Sequence, residues 1–374
     1  MNKSVKITIF GSYSGHNKGD LAILISFIKN MSKRTREIMF LVPSKNPNVI
    51  MKALSGFEQE KVSIFKTITS YWGFHTIKSI KTSDLLVYGG GGLFFDNNPF
   101  NIFYNHLVNL FFLTLVNRLF FKKPIYIFSV GSSHLKSKVM ISLTKYILNN
   151  SNYITVRDYH TANLFSRYLQ RDVGLYYDPV FLIDGNNKIS SHIENFINKL
   201  SDNSKIIVIL NESFINQIRN NSRMQEMINV VNKLQEEYKV VLTYNTTISK
   251  HINKLYDSCD NINLEVFHPL DAEPGEIIYL YSIFDFAICV PMHAAIFAYN
   301  AGTKMITIEY DNKVKEFNKI IGNKNTVNIN DLKRIPWNIE HYNDINWEKK
   351  ANIKENALEN FIKLKEIINA INTN

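Results

Sequence analysis

The feature that most constrains the fold is a repeated alternation between short apolar runs and stretches with helical periodicity. In the first half, apolar runs rich in β-branched and aromatic residues occur at 5–10, 37–42, 62–66, 84–88, 125–130 and 153–156. Helical patterns lie between these runs, notably at 20–31 and 135–148. Such runs separated by helices are typical of a parallel sheet covered on both faces. Right-handed crossovers then predict a doubly wound domain.

The alternation resumes after a polar stretch at 184–204. Its apolar runs are 206–210, 239–244, 264–267, 285–289 and 304–308, and its helical stretches are 223–238, 276–284 and 294–300. A chain of 374 residues can bury two cores of this kind. We therefore predict an α/β fold with two Rossmann-like domains that face each other across a cleft, as in GT-B enzymes. The predicted N-terminal domain spans 1–185 and the predicted C-terminal domain spans 200–340. An amphipathic helix at 345–374 is predicted to pack back across the join between them.

The composition narrows the class of partner. Hydrophobic residues make up 45% of the chain, which indicates a globular protein, and the net charge of +10 suits anionic partners. The lysines are scattered and no nucleic-acid-binding module is visible, so we expect no nucleic acid. Cys259 and Cys289 lack metal or disulfide spacing, and the first residues lack a signal-peptide pattern. We expect a reduced, cytoplasmic setting.

One apolar stretch, 100–121, invites a membrane interpretation. Polar residues interrupt it, which argues against a spanning helix; they are Asn105, His106, Asn109, Asn117 and Arg118. The stretch is then either a buried core helix or an interfacial amphipathic helix that ends in Arg118, Lys122 and Lys123. The second alternative implies peripheral contact with the anionic inner face of the cytoplasmic membrane.

Two glycine-containing segments follow predicted strands. The first runs from Gly11 to Asp20 and brings backbone N–H groups to the carboxyl edge of the sheet, although it has neither GxGxxG nor P-loop spacing. Asp20 is either a helix N-cap or a substrate contact. The second, Gly89 to Gly92, would let a ligand approach the backbone, and a helix starting directly after it would favour an anion.

Two charged dipeptides end the first half. Arg157-Asp158 follows the run 153–156, where an arginine can hold a carboxylate or phosphate through two donors. The alternatives are an ion pair with Asp158 or a salt bridge at a domain interface. In Asp178-Pro179 the proline forces the aspartate into an extended conformation, which indicates a hinge.

The most informative segment runs from 285 to 313. It predicts a strand, a loop with His293, a helix of small residues, Gly302, a second strand, and an acidic-aromatic loop with Lys313. A histidine at a helix N-terminus is favoured in its neutral form, which can act as a base or a hydrogen-bond partner.

Together these segments resemble the polysaccharide pyruvyl transferase family over about residues 5–322. The first shared motif is an Asn-x-Gly-Asp turn, here Asn17-Lys18-Gly19-Asp20, and the second is an aspartate before a glycine run, here Asp84 with Gly89–Gly92. Val-Arg-Asp and Asp-Pro follow, here Val156-Arg157-Asp158 and Asp178-Pro179. The last is a histidine followed by a small-residue helix and Tyr-x-x-Lys, here His293 with Tyr310-Asp311-Asn312-Lys313. In one departure, Pro291 stands where the family has an arginine two residues before the histidine.

The resemblance implies transfer of a pyruvyl group from phosphoenolpyruvate to two sugar hydroxyls, which forms a cyclic ketal and releases phosphate. It implies catalytic roles for His293 and Arg157, and two sets of contacts: Arg157, His293, Lys313, Tyr310, Gly90 and Gly91 for the donor, and His16, Asn17, Gly19 and Asp20 for the acceptor. No metal and no cofactor is expected beyond the co-substrate. The expected partner is a sugar or lipid-linked oligosaccharide acceptor, and homo-oligomerisation stays open.

Pro291 keeps two other functions open. A GT-B-like glycosyltransferase could use the same scaffold with a nucleotide-sugar donor, and a degenerate scaffold could bind glycans or proteins without catalysis. Within the pyruvyl transferase hypothesis, Lys304 is one candidate to replace the missing arginine.

Overall fold

The computed structural model describes residues 4–35, 38–54, 61–69, 71–96, 105–133, 135–186, 188–200, 203–219, 222–245, 250–260, 262–269 and 272–373. Residues 37 and 100–104, which belong to predicted segments, lie outside these ranges. The chain forms two compact units: one comprises Met1–His16, Asp20–Leu182 and Asn352–Asn374, and the other comprises Asn17–Gly19 and Ile183–Ala351.

The first unit contains a seven-stranded parallel sheet. Its strands are β1 (Val5–Phe10), β2 (Ile38–Ser44), β3 (Val62–Lys66), β4 (Leu85–Phe94), β5 (Ile125–Ser132), β6 (Tyr153–Val156) and β7 (Gly174–Leu175), in the order β3-β2-β1-β4-β5-β6-β7. The chain moves from β1 to one side through β2 and β3, then returns to pair β4 with the other side of β1. The topological switch point of this sheet is therefore between β1 and β4, where such folds bind ligands.

The helices of the first unit follow the strands in sequence. They are α1 (Lys18–Arg34), α2 (Pro47–Ala53), α3 (Thr76–Thr82), α4 (His106–Val116), α5 (Lys138–Asn149) and α6 (Tyr159–Leu169), and a π-helical turn (Asn117–Phe121) extends α4. Leu107, Leu110 and Leu113 of α4 are buried in the core, as the core-helix alternative predicts. None of the described helices is long and apolar enough to cross a bilayer.

Strand β4 corrects the prediction for the glycine run. We expected the strand to end at Tyr88 and a helix to start directly after the glycines, but β4 includes the glycines and continues to Phe94. The run stays in the sheet because β5 pairs along it, for example Gly89 with Phe128. Gly90 has a positive φ of 71°, and a Cβ there would overlap Ile23 of α1. Packing therefore accounts for this glycine.

The second unit contains a six-stranded parallel sheet. Its strands are β8 (Lys205–Leu210), β9 (Lys239–Tyr244), β10 (Leu264–Val266), β11 (Phe286–Cys289), β12 (Lys304–Glu309) and β13 (Thr326–Asn328), in the order β10-β9-β8-β11-β12-β13. Its helices are α7 (Ser191–Ile197), α8 (Glu212–Ile218), α9 (Ser222–Leu234), α10 (Lys250–Asp257), α11 (Pro274–Ser282), α12 (Met292–Ala301), α13 (Asn312–Ile321) and α14 (Ile335–Glu340). The switch point lies between β8 and β11.

The last helix, α15 (Lys349–Thr373), contributes to the core of the first unit. The ring of Phe361 lies 5.9 Å from that of Phe27 and 5.0 Å from that of Phe128. Two parallel sheets with interleaved helices confirm the predicted α/β class.

Candidate functional site

Polar residues gather at the carboxyl edge of the second sheet, around its switch point. Asn211 follows β8, His293 follows β11 and Tyr310 follows β12. Asn211 accepts a hydrogen bond from Phe214 N (2.8 Å), which caps α8, and its Nδ2 donates to the Tyr310 hydroxyl (2.8 Å). Burial raises the pKa of Tyr310, with Asp311 adding to the effect. The arrangement fixes a neutral phenol at this edge.

The predicted histidine lies at the start of a helix. His293 is the second residue of α12, is partly exposed, and follows Pro291 at the N-cap position. Pro291 makes no side-chain capping bond, so the first-turn N–H groups lack the acceptor that Ser or Asp would supply there. The first-turn N–H groups and the helix dipole at such an N-terminus favour an anion.

Two distant motifs of the sequence meet at this histidine. Asn17–Gly19 belong to the same unit as His293, and a Cβ built on Gly19 would overlap the imidazole and approach the His293 Cβ to 2.7 Å. The Asn17 Oδ1 accepts from Gly19 N (2.9 Å) and caps α1. The Asn-x-Gly-Asp turn therefore supports the His293 ring directly.

Sequence reasoning missed Lys18, although it lies within that turn. Lys18 is only 2% exposed, and its backbone N donates to Asn245 O (3.0 Å). Lysine is almost never buried to this extent unless its charge is paired, and the charge of Lys18 acts on Glu273. The Asn-x-Gly-Asp motif marked its position, but the motif leaves the residue type there open.

Two further groups escaped the sequence analysis. Burial raises the pKa of Glu273 above its ordinary value, Glu276 adds to this effect, and Lys18 opposes it. The buried Asn245 Nδ2 has no hydrogen-bond partner among the described residues. A buried amide donor without a hydrogen-bond partner lowers the stability of the fold by about 1–3 kcal/mol. A ligand oxygen that accepts from it could recover this free energy. No local sequence pattern signals either property.

The first unit has its own polar cluster at the β1–β4 switch point. Tyr13 is buried and its hydroxyl donates to Gly89 O. Burial raises the pKa of Tyr13, and the carboxylates of Asp20 and Asp178 raise it further. A Cβ on Gly91, whose φ is 84°, would lie 3.0 Å from the Asp20 Oδ1. Acidic side chains and glycine backbone thus share this edge.

Asp20 does not cap a helix. Helix α1 begins two residues before it, at Lys18, and Asn17 provides the cap, so the N-cap alternative is wrong. Asp20 instead lies in the first turn, where a negative charge is favoured by the dipole. His16, predicted on the acceptor side, has its Nε2 2.8 Å from the Asn46 Nδ2 in the first unit.

Arg157 is enclosed within the first unit. Its guanidinium is 3% exposed, and Nη1 donates to the Asp178 Oδ2 at 2.6 Å, while Asp158 is 4.0 Å away. Gly131 leaves room for the group, since a Cβ there would lie 2.7 Å from Nε. Asp178 also accepts from Val180 N (3.0 Å). This geometry favours a structural role, and a direct donor contact of Arg157 stays a prediction.

The remaining predicted donor residues divide between the units. Gly90 and Gly91 lie in the first unit, whereas Tyr310 and the partly buried Lys313 lie in the second. Lys304 stands at the amino end of β12, level with Phe286, and its Nζ lies 5.6 Å from that ring. Because His293 follows the carboxyl end of β11, Lys304 is at the opposite edge of the sheet and cannot replace the arginine. Among the described residues no group of acidic, histidine or cysteine side chains could hold a metal.

Replacement of Gly19 by alanine tests the support of His293. Gly19→Ala is expected to lower turnover at least tenfold, because the new methyl displaces the imidazole, while α1 tolerates alanine well. Steady-state kinetics and a melting curve measure both quantities. Gly185→Ala is the matched control, since its Cβ would meet nothing closer than 3.4 Å. Equal turnover in the two variants would contradict the role of the contact.

Two parallel α/β sheets, each with its own switch point, place the chain in the GT-B-like fold class. The sequence profile of the polysaccharide pyruvyl transferases matches residues 17–312. The chain belongs to the polysaccharide pyruvyl transferase family.

Solved structures share the fold at low sequence identity. The UDP-GlcNAc 2-epimerase of Methanocaldococcus jannaschii has a TM-score of 0.63 at 12% identity, over 98% of this chain and 99% of that one. A glycosyltransferase of Rickettsia africae has a TM-score of 0.62 at 11% identity, over 99% of both chains. MnaA of S. aureus, solved with UDP, has a TM-score of 0.61 at 13% identity, over 99% and 97%. No curated protein matches the sequence.

Proposed function

We propose that the protein transfers the pyruvyl group of phosphoenolpyruvate to two hydroxyls of a sugar in a cell-surface polysaccharide or its lipid-linked precursor. The observation that carries this proposal is the packing of Gly19 against His293. This contact brings the Asn-x-Gly-Asp turn and the histidine motif together, although the two family motifs are far apart in the sequence.

The reaction sets clear requirements for the site. Two acceptor hydroxyls form C–O bonds to the central carbon of the donor, and the C–O bond to phosphate breaks. Of the two hydroxyl protons, one ends on the former methylene carbon, which becomes a methyl group, and the other ends on phosphate. A proton carrier is therefore needed, and we assign this role to His293, the partly exposed imidazole beside the turn.

The donor also carries a carboxylate and a phosphate, which require positive charge. We assign this charge to the buried Lys18 and to the N-terminus of α12, in place of the guanidinium lost at Pro291. Asn245 Nδ2 is a further donor in the same unit.

Pro291 is also the observation that favours a second candidate, a glycosyltransferase with a nucleotide-sugar donor. Such a donor has a diphosphate that a helix N-terminus can bind without an arginine. The two candidates differ in the ligand that must stabilise the fold.

A thermal-unfolding comparison of the two donors distinguishes the candidates. Phosphoenolpyruvate at a hundred times its Kd is expected to stabilise the protein by about 2.7 kcal/mol. UDP-GlcNAc is expected to leave the melting temperature unchanged. Lys18→Gln should abolish the stabilisation by phosphoenolpyruvate, whereas Lys313→Gln tests whether the family's lysine contributes as well.

The opposite result is equally clear. Stabilisation by the nucleotide sugar, with none by phosphoenolpyruvate, would replace the proposed donor. Stabilisation by neither would favour a scaffold without catalytic activity.

A further inference from the structure

The surface of the first unit carries an unusual turn that the proposed chemistry does not use. Helix α4 continues into the π-helical turn Asn117–Phe121, which ends at Lys122 in the left-handed conformation with φ 53°. Within the turn, Leu119 is 62% exposed and Phe120 is 72% exposed. Phe121 is partly buried and packs against the core. The turn thus anchors itself through one aromatic residue and presents two large apolar side chains to solvent.

Basic residues lie on the same turn as these apolar side chains and on the helix that contacts it. Arg118 and Lys122 flank them in sequence and are exposed. Helix α3 packs against the turn and contributes the exposed Lys78 and Lys81. No acidic residue occurs in 105–124 or 71–83, or in the neighbouring helix α5. The nearest acid in sequence, Asp84, accepts a hydrogen bond from Lys6 N at 2.9 Å.

We infer that this turn docks the protein on an anionic lipid leaflet, with Leu119 and Phe120 inserted among the headgroups. Exposed apolar side chains next to exposed lysine and arginine, with no acidic residue in the same segments, fit an interfacial contact, in which apolar insertion and electrostatic attraction act together. A protein partner would bury the apolar pair without needing neighbouring segments that carry basic residues and no acidic ones.

The test is flotation of the full chain with phosphatidylcholine vesicles, with and without phosphatidylglycerol. Binding is expected only to the vesicles that contain phosphatidylglycerol. It should weaken as salt rises, because the attraction decays over a Debye length of about 10 Å at 0.1 M salt. Leu119→Ser with Phe120→Ser should reduce the bound fraction more than tenfold, and Arg118→Glu with Lys122→Glu should do the same.

Ile262→Ser is the matched control, because Ile262 is 78% exposed but lies in the second unit. It should bind as the unmodified chain does, and melting curves check that all variants fold. Three results would overturn the inference: equal binding to both vesicle types, unchanged binding of the apolar and charge variants, or a dimer in sedimentation that the apolar substitutions dissociate. None of these measurements requires the proposed enzymatic activity.

Discussion

His293→Ala is expected to lower turnover by about a hundredfold or more, the usual effect of removing a general acid or base. The free energy of unfolding should change by no more than about 1 kcal/mol, since the side chain is partly exposed at the start of α12. Ketal formation and melting temperature, measured on the same preparation, give both values.

His341→Ala provides the comparison, because His341 is exposed and stacks on Trp337 in the same unit. It should retain normal turnover. If the His293→Ala protein instead unfolds more easily but has normal turnover per folded molecule, His293 has a structural role and takes no part in the reaction.

The largest effect on stability is expected from Arg157→Met. This change leaves Asp178, with a side chain 4% exposed, without its ion-pair partner. Breaking a buried pair from one side typically costs about 3–5 kcal/mol, because the remaining charge stays buried. Urea-induced unfolding of the variant and the unmodified chain measures the difference.

A double variant separates charge burial from packing. Arg157→Met with Asp178→Leu removes both charges and should recover part of the loss, as replacement of both partners by apolar groups often does. A stable Arg157→Met protein that no longer binds phosphoenolpyruvate would point the other way. It would restore the sequence-based interpretation of Arg157 as a donor contact.

Strand positions were largely predictable because buried parallel strands are long apolar runs. The bounds of β1, β3, β6 and β9 agree with the prediction. The two- and three-residue strands β7 and β13 escaped it, since so few residues show no period. The extension of β4 through the glycines depends on pairing with β5. Local sequence patterns do not predict this pairing.

The site was predictable only where a motif marked it. His293 and the Asn17–Gly19 turn were both singled out, but their contact is a tertiary fact. Asparagine and aspartate are equally favoured at an N-cap, so the residue types of Asn17 and Asp20 do not show which one caps the helix. Only the observed start of α1 identifies Asn17 as the cap. The burial of Lys18 depends on tertiary neighbours such as Asn245, and the pKa of Glu273 is raised mainly by its own burial in the folded chain, with Glu276 adding to the effect.

The π-helical turn and the glycine-lined edge of the first sheet lie at opposite ends of β5. The turn precedes Ile125, whereas Gly131, against which Arg157 packs, is near the other end. Eight strand residues span roughly 25 Å. A protein docked on lipid through the turn would therefore keep this edge away from the bilayer surface, at a distance that the length of β5 limits to roughly 25 Å.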